Sequence, residues 1–413
     1  MSIPLDRLYH YIESVAQEVY GDVLIYRFYP HGSKKIEDLT PTTDIFSDKE
    51  KFYAARSQIQ IFCNDQEPLN FQFYQDVAPG KLKIPPDALQ SLTQQQIECL
   101  NNNLRSAMPI GPFNIYDKCV LLHSEKRSTN LELYCNNQYI SSYYWSHAFI
   151  ALDWFRYAKH VKLKKNQKTK TFLIYNRAWS GSREYRLKFA DLLVDQGLVN
   201  NCLTSVGFVD NNLHYNQHAF VNHQWQPQNH LENYFKENQT TSCYSADFDM
   251  SDYNSTLFEV VLETLFDDTR IHLTEKILRP IAVGQPFILC STHGSLEFLK
   301  QYGFKTFSSV FDEHYDTIVD PYQRLTAVVK LMKQIATWDS ATQHVKMKQI
   351  QDIVNHNQTH FFSKDFFDQI DNELKTNLYS AFTQVEKTNT STRYINLRKS
   401  LSTATEFRIA ELL

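Results

Sequence analysis

The sequence predicts a layered α/β protein of two domains. Three observations carry that expectation. Short apolar runs of strand length recur along the chain, as in DVLIYRF (22–28), TFLIY (171–175) and QPFILC (285–290). Stretches with helical spacing of apolar residues fall between them. The chain has 413 residues, and one hydrophobic core usually serves about 100 to 200. Strands that alternate with helices, instead of clustering, are the mark of layered α/β architecture.

From the N-terminus, Leu8, Tyr9, Ile12, Val15 and Val19 share a helical face. Strands are expected at 22–28, at 57–63 (SQIQIFC) and at 118–123 (KCVLLH). The aromatic run YYWSHAFIALDWFRY (143–157) is expected as a helix leading out of the first domain. The charge-rich stretch 159–170 is the best linker in the chain. After it come a strand at 171–175, a loop, and an amphipathic helix at 183–193. A strand is expected at 205–208. Residues 211–241 are rich in Asn, His and Gln and lack periodicity, so a long loop is expected, with a short helix near 231–235. Strand 257–263, helix 274–283, strand 285–290 and helix 294–302 complete the second domain. From about 320 the chain is helical and amphipathic. The expected division is 1–165, 166–335, and a helical C-terminal extension, 336–413, packing back on the core.

Composition excludes several classes. Hydrophobic residues make up 42% and charged residues 21%, too apolar for a disordered chain. Only 10 glycines occur, against any collagen-like repeat. No apolar run approaches a membrane span. The N-terminal stretch is interrupted by acids and has no long apolar stretch, unlike a signal peptide. A net charge of −4 argues against binding nucleic acid by bulk phosphate neutralisation. Seven widely spaced cysteines without a CxxC pair point to reduced thiols and a cytoplasmic setting.

Four segments hold the candidate chemistry. In 270–303, Thr274 is a plausible helix N-cap, with free amides behind it for an anion, and Glu275 stands at the same helix start. Gly294 and Ser295 come after a buried strand and precede another helix; Thr274 and Ser295 could equally be ordinary caps. In 175–188 (YNRAWSGSREYRLK), Arg177, Arg183 and Arg186 surround the small residues Ser180-Gly181-Ser182. From Arg156 to Lys188 there are eleven Lys or Arg against Glu184 alone. Arginine suits bidentate contact with phosphate. In 64–68 (NDQEP), Asp65 and Glu67 follow an apolar strand, where a carboxylate could act as a general base or simply shape a turn. His123, Glu125 and the aromatic run with His147 could form either a sugar-stacking wall or an aromatic core. No P-loop, GxGxxG, HExxH or GxSxG stands in the sequence. Asp-Phe-Asp at 247–249 is superficially like a metal-binding acid pair, but its late place in a polar loop argues against a metal.

The stretch LTEKILRPIAVGQPFIL (273–289) resembles the donor-site signature of two-domain, nucleotide-sugar-dependent transferases, closest to the α-1,3-fucosyltransferase type. RAWSGSREYRLK and GSLEFLKQYGFKTFSSVFDEHYD are also similar to uncharacterised glycosyltransferase-like proteins of large bacterial viruses. The resemblance implies a GT-B-like pair of facing Rossmann-like domains with the active site between them. It implies inverting transfer of a sugar from a nucleotide-diphosphate sugar to a hydroxyl acceptor, a glycan first and DNA second. Glu275 would hold the donor ribose, Lys276 the diphosphate, and Arg177 or Arg186 the phosphates. Glu67 would stand near the family's catalytic base, although Gln66-Glu67-Pro68 replaces its Glu-Ser-Pro. No metal or other cofactor is required if these cations meet the phosphate charge. A non-catalytic carbohydrate-binding or virion structural protein is the rival expectation.

Overall fold

The computed structural model describes residues 23–27, 59–64, 119–127, 141–164, 169–210, 212–237 and 248–388. Among them the chain forms a mixed α/β fold with two four-stranded parallel sheets. Two compact units are distinguished. One falls within Met1–Ser146 and Ile370–Arg408, the other within His147–Gln369 and Ile409–Leu413.

The first unit is built on β1 (Val23–Arg27), β2 (Ile59–Asn64), β3 (Cys119–His123) and β4 (Ser141–Tyr144), side by side in chain order. All are parallel, with Val23 opposite Ile59, Ile61 opposite Val120 and Leu122 opposite Tyr143. Tyr143 and Tyr144, expected as the start of a helix, are strand. Aromatic residues suit a pleated, half-buried surface, and pairing with β3 extends the sheet through them. The second half of the final helix, from Ile370, belongs to this unit. Ile370, Leu374, Leu378 and Ala381 recur at helical spacing and are fully buried. Asn377 donates 2.7 Å to the Tyr144 carbonyl, and Lys126 lies 3.2 Å from Glu373 and 3.6 Å from the Tyr144 ring.

The second unit begins at His147, before the charge-rich run and not after it. Helix α1 (Ala148–Trp154) is buried along its whole length, which ties it to the second unit. The sheet comprises β5 (Lys170–Asn176), β6 (Cys202–Val206), β9 (Thr256–Leu262) and β10 (Phe287–Cys290), in the order β10-β9-β5-β6, all parallel. Phe287, Ile288, Leu289 and Cys290 are all buried. Strands covered on both faces read as unbroken apolar runs, which is why they stand out in the sequence.

Helices α2 (Tyr185–Asp195), α3 (Met250–Ser255), α4 (Glu275–Val283) and α5 (Ser295–Gln301) alternate with these strands. Local chemistry sets their ends. Thr274 caps α4, and Gly284 closes it at φ 80°, a left-handed conformation that favours glycine. Then α6 (Pro321–Ala336) starts with Asp320 as cap and Pro321 at its first position. Helix α7 (Ser340–Phe361) comes next, packed on α4, and α8 (Lys364–Thr388) ends the described chain.

The polar segment 212–237 has no periodicity because side chains from elsewhere hold it. A two-residue hairpin, β7 (Val209–Asp210) with β8 (Leu213–His214), opens it, and short 3-10 turns continue it. Glu184 accepts from the Val221 amide at 3.1 Å and lies 2.6 Å from His218 Nε2. Asp191 accepts from the amides of Gln228 and Asn229 at 3.0 and 2.8 Å. Asp267 accepts from Trp225 Nε1 at 3.0 Å and Asn222 Nδ2 at 2.9 Å.

Candidate functional site

Strand order locates the site in the second unit. From β5 the chain runs outward to β6, then crosses back to β9 on the other side of β5. The loops leaving β5 and β9 therefore diverge, and such a switch point opens a crevice at the carboxyl ends of the strands. Leu173 stands opposite Glu259, so the two strands end level, Asn176 with Leu262 and Arg177 with Glu263.

Arg186 ties these two ends together. Its guanidinium donates to the carbonyls of Ala178 (2.6 Å), Leu262 (2.7 Å) and Glu263 (3.1 Å). Asn176 donates 3.0 Å to the Arg186 carbonyl, and the Tyr185 hydroxyl 2.6 Å to that of Glu263. Arg186 is buried and faces backbone oxygens, so its geometry is that of a structural clamp and not of a phosphate ligand. Arg183 donates 3.1 Å to the Ser180 carbonyl. Arg177 is half-buried, with its guanidinium 5.0 Å from the Tyr175 ring centre. Of the three arginines it is the one placed directly at the strand end. The loop between them is fixed from outside. Asp210 accepts from the amides of Trp179 (2.9 Å) and Ser180 (2.8 Å), and these contacts keep its carboxyl below the usual range although burial works the other way. At Gly207 a Cβ would stand 2.3 Å from the Arg177 carbonyl oxygen, so only glycine lets the two loops approach.

The Thr274-Glu275-Lys276 motif opens α4 after the loop that leaves β9. Thr274 Oγ1 accepts from the Lys276 amide at 3.2 Å, as a cap should. The same hydroxyl donates 2.7 Å to the Glu263 carboxylate, which also accepts from the Thr274 amide at 3.1 Å and the Thr264 amide at 3.3 Å. Glu263 thus supplies the anion at this end of the helix. Glu275 is fully buried. Its carboxylate lies 2.9 Å from Lys276 Nζ and 3.4 Å from His147 Nδ1. The His272 ring meets His147 edge-on with centroids 4.9 Å apart. Lys276 keeps partial exposure.

The loop before α5 is arranged differently from expectation. Gly294, at φ 79°, is the N-cap, and Ser295 is the first helical residue. Ser295 Oγ donates 2.6 Å to the Thr292 carbonyl, and Asp316 accepts from the Leu296 amide at 3.1 Å. Asp316 fills the helix start that was expected to face a phosphate. Burial raises its carboxyl above the ordinary range, while the amides it accepts from pull the other way.

Asp65 and Glu67 lie outside the described residues. His123 closes β3. Desolvation, with the Lys126 charge nearby, pushes its imidazole down to about 3. A general base works best with a pKa near the working pH, so His123 accepts a proton poorly at neutrality. Asp249 caps α3 by accepting from the Ser251 amide at 2.8 Å. Among the described residues no cluster of three or more His, Cys, Asp or Glu is placed to hold a metal ion. Nor is any described helix long and apolar enough to cross a membrane.

Sequence reasoning did not foresee Glu263, Asp316 and Asp210, the acids that occupy the helix starts and the arginine loop. It also did not foresee His147 beside Glu275. His272 stands within three residues of Glu275, close enough in sequence to be found as a neighbour, and was not singled out. His147, singled out within the aromatic run, is remote in sequence from Glu275, and nothing local pairs the two. No family model, curated protein or solved structure matches the chain.

Proposed function

We propose that the chain is a nucleotide-sugar-dependent glycosyltransferase whose second unit holds the donor. One observation carries this reading. Strands β5 and β9 end level at a switch point, and the loops leaving them bear Arg177 on one side and Glu263 with Thr274-Glu275-Lys276 on the other. Two cations and a carboxylate around a strand-end crevice suit a nucleoside diphosphate, with Arg177 and Lys276 toward phosphate and Glu275 toward ribose. The reading extends to a GT-B-type pair of Rossmann-like domains, of which this unit is the donor side.

Transfer would proceed with inversion. A base, assigned by resemblance to Glu67, takes the proton of an acceptor hydroxyl. That oxygen forms a bond to the anomeric carbon as the bond to the diphosphate breaks. The leaving diphosphate takes up negative charge, and preorganised cations lower the barrier by meeting it. Because Glu275 is buried against Lys276 and His147, donor binding must open this contact before ribose can reach the carboxylate.

Calorimetric titration with UDP, GDP, ADP, CDP and TDP is the first test, and turnover with the matching nucleotide sugars is the second. Binding of one nucleotide, weakened by Arg177→Ala, supports the donor site. Failure of all five to bind at millimolar concentration overturns it.

A further inference from the structure

A cavity of about 790 Å³ opens in the second unit, away from the switch point. Leu257 at the start of β9 and Pro286 just before β10 line it, so it sits at the amino ends of these strands. The candidate donor site is at their carboxyl ends. The volume lies in the range of about 300 to 1,000 Å³ common for small-molecule sites.

Its lining has a distinct chemistry. Leu163, Leu257, Val283, Met347 and Val354 make an aliphatic floor. No Phe, Tyr or Trp stands among the described lining residues, in a chain in which these three make up 14%. A site for a sugar or a nucleobase would need flat faces for stacking. The described lining residues include Lys162 and His344 but no acid. Two acids adjoin lining residues in sequence: Asp339, which caps α7 through the Thr342 amide at 2.7 Å, and Asp352, which is exposed.

The walls are fixed by their own bonds. Gln358 donates 2.9 Å to the Ala282 carbonyl, and Gln285 2.9 Å to that of Thr256. The side chains of Lys162, Gln343 and His344, by contrast, make no hydrogen bond or ion pair with any described residue. The lining stripe on α7 runs from Ser340 to Gln358, roughly 27 Å at the helical rise. The cavity is therefore long, aliphatic along its floor, and carries one positive charge, Lys162, among neutral polar groups and His344.

From this we infer a second binding site, for a free long-chain aliphatic carboxylate. Its chain would lie along the Met347–Val354 stripe and its carboxylate would meet Lys162 and His344. The inference does not depend on the glycosyltransferase reading.

The test is calorimetric titration of the full chain with dodecanoate below its micellar range. Dodecanol, acetate, dodecyl maltoside and anionic phospholipid vesicles serve as comparisons. Dodecanoate is expected to bind with Kd below about 100 µM, at least about tenfold tighter than dodecanol, while acetate shows no binding. Met347→Trp, which fills the floor, and Lys162→Glu, which reverses the charge, are each expected to weaken dodecanoate at least about tenfold. Circular dichroism checks that both variants fold, and Gln343→Glu, at a half-buried lining position, provides an independent charge change if either does not. Dodecanoate binding that none of these variants alters overturns the site. So does absence of binding at millimolar dodecanoate, preference for the maltoside, binding to vesicles alone, or a dimer in light scattering that buries the cavity.

Discussion

The Glu263 carboxylate holds Thr274 twice, at its amide (3.1 Å) and at its hydroxyl (2.7 Å). One residue at the end of β9 thus sets where α4 begins, and with it the position of Glu275 and Lys276. Both Glu263 and Thr274 are fully buried, so each bond forms away from water.

Replacing Glu263 should therefore destabilise the second unit. Hydrogen bonds to a charged group contribute about 1.5 to 3 kcal/mol, and orphaned buried donors add to the loss. Glu263→Ala is expected to lower unfolding free energy by about 3 kcal/mol or more, and Glu263→Gln by less, since its amide oxygen still accepts. Urea unfolding measures both. A change within about 0.5 kcal/mol for the alanine variant contradicts the geometry.

Arg186 separates two roles that a sequence cannot distinguish. A phosphate ligand and a carbonyl clamp are both arginines after a strand. Its fork to Ala178, Leu262 and Glu263 predicts that Arg186→Lys, which keeps the charge and loses the fork, costs about 2 kcal/mol of stability. Nucleotide affinity in the folded variant should stay within about threefold of the parent, whereas Arg177→Ala should lose about tenfold or more. The reverse pattern would return Arg186 to the phosphate site.

The polar loop should release in acid before the sheet does. Burial alone would raise the Asp191 carboxyl, but Lys188 and the amides of Gln228 and Asn229 hold it below the usual range. A depressed carboxyl contributes stability above its unfolded pKa and loses it as pH falls through the folded value. The loop around Trp225 should loosen below about pH 4, read by tryptophan fluorescence and amide exchange. Asp191→Asn should remove that acid transition and leave the loop looser at neutral pH.

His123 gives an acid effect in the first unit. Its imidazole is held neutral, with the pKa lowered to about 3 by desolvation and then by Lys126. The histidine contribution is complete above its unfolded pKa of about 6.5 and declines as pH falls toward the folded value. His123→Gln should flatten the stability slope between about pH 6 and 3. If the protein transfers sugar, the same variant should keep more than about a tenth of turnover, because a base this weak cannot supply the usual factor of about 10² to 10⁴ from general-base catalysis.

The residues behind these predictions differ in how far the sequence could carry them. The buried strands β5 and β10 were legible because parallel strands covered on both faces must be apolar throughout. The Thr274 cap was legible because capping is local, fixed within a few residues. What fills a helix start is not local. Glu263 reaches Thr274 across a loop, and Asp316 reaches the Leu296 amide from well beyond α5. Free amides read from sequence were therefore already taken in the fold. The loop 212–237 was legible as aperiodic, but its order comes from Glu184, Asp191 and Asp267 on other elements. The unit boundary was obscured because the charged run 159–170 looks like a linker, while the buried helix α1 before it belongs to the second unit.

His147, Glu275 and Lys276 form a connected group whose members should not act independently. Glu275 is fully buried, 2.9 Å from Lys276 Nζ and 3.4 Å from His147 Nδ1. A carboxylate removed from water depends on such partners, and removing one leaves a charge with less compensation. Lys276→Ala alone should therefore cost more than the loss of a surface lysine, whose effect is usually within about 0.5 kcal/mol. Glu275→Gln alone should leave Lys276, which is partly exposed, able to turn to solvent. If the pair acts as a unit, the double variant will be less harmful than the two single losses added together, with a coupling of about 1 to 3 kcal/mol. The cycle should be repeated on nucleotide affinity, where Glu275→Gln is expected to weaken binding and Lys276→Ala to act mainly on turnover. Coupling in both stability and affinity would mean that the contact which buries Glu275 is the one the donor must open. Additivity within about 0.5 kcal/mol in stability would show that the two side chains are merely neighbours. Wild-type affinity and turnover in both single variants would remove Glu275 and Lys276 from the donor site.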